Sequence, residues 1–573
     1  MRRVCVGIAV LLLGCLGPEG RRAAGSEPTP DRVEAIRDYL DRCAGHGWSG
    51  CVCVVWDDKP VVEHVCGLAD RAAGRAPTSE TLFEVASVTK VFTACAILRL
   101  VEQGRLALDD PLAKHVEGVP ADKSGITLRH LLNHTSGMPR AASGGGTSPD
   151  QAVASYLRTA PAAKPGERVA YWNGGYALLA AVIERATAKS FESSVRKLIL
   201  EPAGMTRSGF TGEGSLAREE QAVGYDGDRA VRRAEGHPYG AYDYGYKGMG
   251  GLVTTANDLV RFARAWWNQG VVNDASRREM IAAPRDSQGL GFGVLRTPGG
   301  PLRLVHGGDV RGFHSAFEIL PEQRAAIIVL GNVEGIPAWK LQWNIQALLF
   351  GAAAPYPIPP SVTTTRDGEI KALVGTWVDE RGGNALAVAP ARGGLRIALA
   401  PPPAGPATRE DPRPALVQAA TDIVRALEAR DAEAIRSLLP DGVAWARTWP
   451  RILVDKIWPD QLATFGTLGS SEVLEIAPTG PMEHRAVVLL RQQKADRWMN
   501  LNLSAAGRIH RLSFDSPVDG VGALYRPAPD GTYQTFDWNA DRPAPVLRLE
   551  REANGLRALV LGDGAASRRY SRP

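Results

Sequence analysis

The sequence predicts a mixed α/β (α+β) protein of more than one domain. Three observations carry this. The chain has 573 residues, a length that suggests two to four domains. Helical and strand-like patterns are interleaved from Asp31 onward rather than separated into blocks. The run Val91, Phe92, Ala94, Cys95, Ala96, Ile97, Leu98, Leu100 and Val101 is apolar nearly all round, which suits a helix at the centre of a large core.

Each element follows in order. Asp31–Cys43 places Val33, Ile36 and Leu40 at helical spacing. Ser49–Trp56 and Pro60–Leu68 read as a β-hairpin around Asp57-Asp58-Lys59. Glu84–Lys90 leads into the apolar helix, with Gly104 as its stop. Ile126–Gly137 is a short helix running into a loop. Pro165-Gly166 turns into an extended stretch holding Tyr171 and Asn173, and a helix follows over Ala177–Ile183. On an extended segment, residues two apart point the same way. Gly248–Leu259 is a glycine-rich turn into a capped helix. It lacks the G-x-x-x-x-G-K-[ST] form, so no phosphate cradle is expected. Leu302–Phe317 and Ala325–Leu330 are strands.

Ala352–Thr365 is rich in Pro and Thr and reads as a linker. Short strands follow at 371–400, then a second linker at Pro401–Pro414. Ala415–Leu439 holds two helices, with Asp431 capping the second. More strands follow to Tyr570. Neither 371–400 nor 521–573 is long enough to close a core. The expectation is one small antiparallel barrel made from both, split by an inserted α+β domain at 413–520. Trp449, Trp458 and Trp498 are expected to pack its core rather than line a pocket.

Hydrophobic content of 44% and charged content of 23% are ordinary for a soluble globular protein. The net charge of +5 and the lack of a basic run exclude nucleic acid as an expected partner. Arg2 and Arg3 precede a short apolar core, Val4–Leu13, too short to span a bilayer. This reads as a signal peptide, so an exported protein is expected. Leu12-Leu13-Gly14-Cys15 resembles a lipobox, which would make a lipid anchor at Cys15. Cleavage near Ala23-Ala24-Gly25 is the alternative. Cys43, Cys51, Cys53, Cys66 and Cys95 lie beyond this segment. A cross-strand pair between Cys66 and one of Cys51 and Cys53 is compatible with export, and the odd count leaves one thiol free. No metal or cofactor is expected. His130 and His134 are four apart, but no Glu stands between them as in H-E-x-x-H, so packing and loop hydrogen bonding are their expected roles.

Three short signals remain. Ser87 and Lys90 sit three apart, so a hydroxyl and an amine share a helix face. A serine hydroxyl becomes a useful nucleophile only beside an activating group. The Ser-x-x-Lys pattern alone is weak, because it recurs at Ser194 and Lys197, where a solvated helix surface is the expected setting. Tyr171-x-Asn173 is the only such pair in the chain. His306-Gly307-Gly308 lies in a strand region, where glycines admit a ligand or another backbone.

Taken together, these signals resemble the serine β-lactamase and penicillin-binding-protein-like superfamily. The likeness is to its branch of class C β-lactamases, D-alanyl-D-alanine carboxypeptidases and esterases. The hairpin ending Gly67-Leu-Ala-Asp70, Leu131-Leu-Asn-His-Thr-Ser-Gly-Met138 and Gly250-Gly-Leu-Val-Thr-Thr-Ala-Asn-Asp-Leu259 support it. The resemblance implies an antiparallel sheet flanked by helices, with an all-helical subdomain, over 26–352. After a linker at 353–370 it implies a lipocalin-like barrel from 371–400 and 521–573. The inserted 413–520 segment resembles a nuclear-transport-factor-2-like cone. The implied roles are Ser87 as the acylated nucleophile, Lys90 as proton relay and Tyr171 as general base and then acid, its phenol shifted by the neighbouring cation. Asn173, His306, Gly307 and Gly308 would hold substrate. The backbone N–H groups of Ser87 and Asp309 would form the oxyanion hole. One departure is plain: the third motif is Lys-Thr-Gly in most β-lactamases and His-Gly-Gly here. This favours an exported serine hydrolase of peptidase or esterase type, with a β-lactamase proper or a non-catalytic binding protein on the same fold as alternatives.

Overall fold

A computed structural model describes the chain from Glu27 onward, apart from residues 143, 214–215, 218–219, 227–228, 232–243, 283–285, 297–299 and, beyond Val362, the stretches between the elements named below. The N-terminal segment at 1–25 and the linker at 401–413 lie outside the described residues. The chain divides into two compact units. One runs to Pro359 and includes Trp538–Asp541; the other comprises Pro360–Asp537 and Arg542–Pro573.

The first unit begins with α1 (Pro30–Gly45), β1 (Gly50–Trp56) and β2 (Lys59–Cys66). Next come β3 (Phe83–Glu84), a 3-10 turn at Ala86–Val88, and α2 (Thr89–Glu102). Then follow α3 (Leu128–Leu132), α4 (Pro149–Tyr156), α5 (Asn173–Thr187), α6 (Phe191–Val195), β4 (Gly209–Phe210), β5 (Gly224–Asp226), β6 (Arg229–Val231) and β7 (Leu252–Thr254). The unit closes with α7 (Ala256–Trp267), α8 (Asp274–Ile281), β8 (Gly293–Arg296), β9 (Leu302–Val310), β10 (Phe313–Leu320), β11 (Ala325–Gly331) and α9 (Ala338–Leu349).

The main sheet is antiparallel, in the order β2-β1-β11-β10-β9-β8. β1 and β11 are buried along their whole length, because both faces are covered. Alternation along β10 shows how. Phe317 meets Phe262 of α7, at 6.0 Å between rings, and Phe262 in turn packs on Phe92 of α2 at 4.4 Å. The adjacent Glu318 points to the other face, where it is fully buried and takes Arg303 of β9 at 2.5 Å and Gln342 of α9. A buried charge is tolerated only when paired in this way. The sheet is thus sandwiched between α7 and α2 on one side and α9 on the other.

That arrangement makes α2 the central helix. All its residues from Thr89 to Leu98 are buried, as the apolar run requires. Its polar members find backbone partners in one segment. Thr93 donates to Gly248 O at 2.7 Å, and Thr89 Oγ1 accepts from Leu252 N at 3.0 Å. Gly248, at φ 72°, lets this segment press against α5: a Cβ there would lie 2.4 Å from Tyr176 O. The glycine-rich turn therefore packs against both α2 and α5.

The cysteines are free among the described residues. The cross-strand pair fails on parity. Cys66 stands opposite Gly50, whereas Cys51 stands opposite Val65, so Cys66 faces away from Cys51 and Cys53. Burial pushes the Cys43, Cys66 and Cys95 thiols up, which suits packing rather than reactivity.

In the second unit, β12 (Gly375–Asp379), β13 (Ala385–Ala391) and β14 (Gly394–Ala400) come first. Then follow α10 (Pro414–Glu428), α11 (Ala432–Ser437), α12 (Trp449–Ile452), β15 (Leu468–Gly480), β16 (Glu483–Gln492), β17 (Arg497–Ser504) and β18 (Ile509–Phe514). The last elements are β19 (Leu524–Pro527), β20 (Tyr533–Gln534), β21 (Phe536–Asp537), β22 (Arg542–Pro543), β23 (Leu547–Glu552), β24 (Gly555–Leu561) and β25 (Arg568–Ser571). A closed barrel joins β12, β13 and β14 to β19, β20, β23, β24 and β25, around Trp377, Leu386 and Leu559. The residues between form a four-stranded sheet, β15-β16-β17-β18, with its own core. Trp458 belongs to that core with Leu416, Ile423 and Met499, and Asp431 caps α11. The side chains of Trp449 and Trp498 lie outside the described residues.

Candidate active site

The site forms where the 3-10 turn meets the open edge of β9. β3 pairs with β7, and β7 with β4, so Glu84 is fixed opposite Val253. Tyr246 Oη donates to Glu84 at 2.7 Å. The next residues turn sharply: Ala86 has φ 44°, in the left-handed region that a non-glycine residue rarely takes. Such local strain is often kept where a side chain must be aimed. It presents Ser87 at the head of α2.

Lys90 is fully buried one turn later. Its Nζ donates to Ser87 Oγ at 2.9 Å and to Met249 O at 2.8 Å. The ring of Tyr171 lies 5.1 Å from Nζ and that of Tyr176 5.6 Å. Burial holds the Lys90 amine well below its usual 10.5. Tyr171 is hydrogen-bonded to Ser87, yet burial outweighs that bond and pushes the phenol up to about 12. The pull of a cation on the phenol comes from Arg140 and is outweighed by burial, and the lysine is the group that moves towards neutrality.

Asn173 departs from expectation in another way. It is already the first residue of α5, so strand alternation does not relate it to Tyr171. Tyr171 is half-buried, and Asn173 is exposed.

β9 supplies the opposite wall. β8 pairs with it only from Leu302 to Val305, so among the described residues His306–Val310 have no strand neighbour on that edge. Register places His306 opposite Phe317 and Gly308 opposite Ser315, on the α2 face. Gly308 must be glycine: a Cβ would lie 2.1 Å from Val85 O. Ser315 Oγ donates to the same carbonyl at 2.9 Å. Gly307 is different. It is exposed, and a Cβ there would meet nothing nearer than 3.7 Å. Gly308→Ala is thus expected to displace the 3-10 turn and lower covalent labelling of Ser87 at least tenfold. Gly307→Ala is expected to label normally and to change only the KM of bulky substrates. Labelling rates of the two variants check this.

His306 is half-buried, and its Nδ1 lies 2.7 Å from Gly307 O. Burial, helped by Lys90, pushes its imidazole down to about 4, so it is neutral at neutral pH. Asp309 has its carboxylate on the other face, 2.6 Å from His314 Nδ1.

His134 is the packing residue that the sequence leads one to expect, but its partners are those of the site. Its ring stacks 4.2 Å from that of Tyr171, and its Nδ1 accepts Trp172 N at 3.2 Å. The second Ser-x-x-Lys copy behaves otherwise. Lys197 is solvated and pairs with Glu201 at 2.9 Å, but Ser194 is buried, not solvated, and donates to Ser190 O at 2.8 Å. A π turn over Arg196–Leu200 changes the helix phase between them. Among the described residues no His, Cys, Asp and Glu cluster is arranged to hold a metal ion, and no helix is long and apolar enough to cross a membrane.

The geometry finds its counterpart in known proteins. Residues 34–349, more than half of the chain, match the family described as Beta-lactamase. The chain belongs to the beta-lactamase family. It is 29% identical over 340 residues to "Penicillin-binding protein 4*" of Bacillus subtilis (strain 168), covering 55% of this chain and 74% of that protein. It is 34% identical over 302 residues to "Esterase EstB" of Burkholderia gladioli, covering 43% of this chain and 75% of that one. "D-aminopeptidase" of Brucella anthropi is 27% identical over 390 residues, covering 63% and 69% of the two chains. The solved octameric penicillin-binding protein homologue from Pyrococcus abyssi shares the fold, with a TM-score of 0.51 at 21% identity, over 84% of this chain and 99% of that one. As a member of this family the chain is a serine hydrolase acting on amide or ester bonds.

Proposed function

We propose that this beta-lactamase family member is an exported peptidase or esterase, acting on D-amino-acid peptides, cell-wall-related amides or esters through a Ser87 acyl-enzyme. One observation carries the choice over a β-lactamase proper: the third motif offers a neutral imidazole and an exposed glycine, where Lys-Thr would offer a cation and a hydroxyl. The named relatives, an esterase and a D-aminopeptidase, support the same preference. The N-terminal basic and apolar segment supports export, with Cys15 as a candidate lipid anchor. The closed barrel and the four-stranded sheet with its helices are read as lipocalin-like and nuclear-transport-factor-2-like modules.

In this proposal an extended substrate lies along the open edge of β9. Ser87 Oγ attacks the carbonyl carbon, and its proton passes to the Lys90 amine along the 2.9 Å line between them. The carbonyl oxygen, now negative, accepts from the backbone N–H groups of Ser87 and Asp309. Tyr171 enters as a protonated phenol, donates to the departing amine or alkoxide, and recovers a proton from Lys90. Water then cleaves the acyl-enzyme by the reverse path. Asn173 and His306 hold the substrate.

A panel of nitrophenyl esters, D-amino-acid amides and peptides, and nitrocefin tests the assignment. Turnover of the first two classes at a kcat/KM at least 100-fold above nitrocefin is the expected result. Dominant nitrocefin hydrolysis would overturn it, and an inert protein would favour a binding role.

A further inference from the structure

Three basic side chains, those of Lys90, His134 and Arg140, stand against the Tyr171 ring, and a fourth, His306, acts on His134; they divide into two kinds. Lys90 and His134 are buried and His306 is half-buried, and burial holds each below its usual pKa. Arg140 is exposed. Its guanidinium stands 5.7 Å from the centre of the Tyr171 ring, on the loop that follows α3. A guanidinium keeps its charge at any ordinary pH.

Arg140 has no carboxylate partner among the described residues. Most surface arginines of the first unit have an acid partner, such as Arg129 with Asp109 at 2.8 Å and Arg185 with Asp150. The Arg140 guanidinium acts on the Tyr171 ring and on His134. The site's own acid does not reach it either. The carboxylate of Asp309 projects from the far face of β9, where cross-strand register sets it beside His314 at 2.6 Å. Among the described residues, Arg140 is thus an exposed cation against the Tyr171 ring with no carboxylate partner, while the Asp309 carboxylate is already taken by His314.

We propose that Arg140 is a specificity-determining residue that binds a carboxylate of the substrate, on the portion that lies over Tyr171. This rests on the serine hydrolase reading of the same site and names the substrate class within it. A planar guanidinium meets a carboxylate through two parallel N–H donors. It thereby replaces, from a different loop, an anion contact for which Gly307 has no side chain. The Tyr171 ring attracts the guanidinium and keeps it at the site.

The test compares a depsipeptide ending in a free carboxylate with its methyl ester, on the full chain. Protection of Ser87 against a fluorophosphonate probe is measured for both, alongside hydrolysis. The wild-type protein is expected to favour the acid by about 10–100-fold, the scale of a charge-assisted hydrogen bond. Arg140→Gln is expected to bring the acid-to-ester ratio close to one, and Arg140→Lys to keep part of it. A wild-type ratio near one, or an unchanged ratio in Arg140→Gln, overturns the proposal. So does a preference for an amine-terminated substrate that is lost in Asp309→Asn. Failure of the probe to label wild-type Ser87 instead defeats the hydrolase reading, so the two failures are distinguishable.

Discussion

Ser87→Ala is expected to abolish covalent labelling by a fluorophosphonate and to lower turnover of any accepted ester or amide by roughly 10⁵–10⁶-fold, the scale seen when a serine hydrolase loses its nucleophile. The reason is positional. Ser87 is the hydroxyl in hydrogen-bond contact with both the Lys90 amine and the Tyr171 phenol. The left-handed Ala86 before it and the Glu84–Tyr246 bond fix its direction. Alanine removes the oxygen and leaves that frame, so thermal unfolding should be nearly unchanged. Ser194→Ala is the control. Its hydroxyl is buried and bonded to Ser190 O, with no amine beside it, so that variant should label as the wild type does. Labelling that survives Ser87→Ala, or that is lost in Ser194→Ala, would refute the assignment.

Lys90→Met is expected to lower kcat/KM by about 10²–10⁴-fold, the usual contribution of a positioned base. It should also raise thermal stability. Burial disfavours the charged amine, so the folded state releases the Lys90 proton well below 10.5, whereas the unfolded chain holds it up to that value. Between the two values the unfolded chain binds more protons, so this group lowers stability progressively as pH falls through the window. Methionine removes the penalty. Its gain should be largest at and below the folded pKa and should vanish above pH 10.5. In the wild type, the acid limb of the kcat/KM profile should rise as the amine loses its proton. Denaturation curves and pH profiles of the two proteins measure both effects. A variant less stable than the wild type at neutral pH would contradict the account.

Much of the site could be read without coordinates, for a definite reason. Ser87 and Lys90 are three residues apart, and local helix geometry alone brings them together. The all-apolar run behind them demanded a central helix, and α2 is buried throughout Thr89–Leu98. The hairpin of β1 and β2 followed from the Asp57-Asp58-Lys59 turn between two strand-like runs, and the need of 371–400 for further strands followed from its size. Other features were invisible because they depend on contacts distant in sequence. Cys66 failed to meet Cys51 or Cys53 because register assigned it to the other face. Asn173 left the extended segment because α5 begins at that residue. His134 had no local sign that Tyr171, on a separate loop, would stack on it.

What the sequence determined by itself is the set of candidate groups at the site and the elements that carry them, since hydrophobic periodicity and i, i+3 spacing are properties of a single segment. The tertiary structure alone decided their protonation and their charge environment. Lys90 is depressed because the Tyr171 and Tyr176 rings and the 248–252 segment close around it, and its second hydrogen bond reaches Met249, 159 residues away. Desolvation is a sum over all neighbours in space, and no single segment contains that sum.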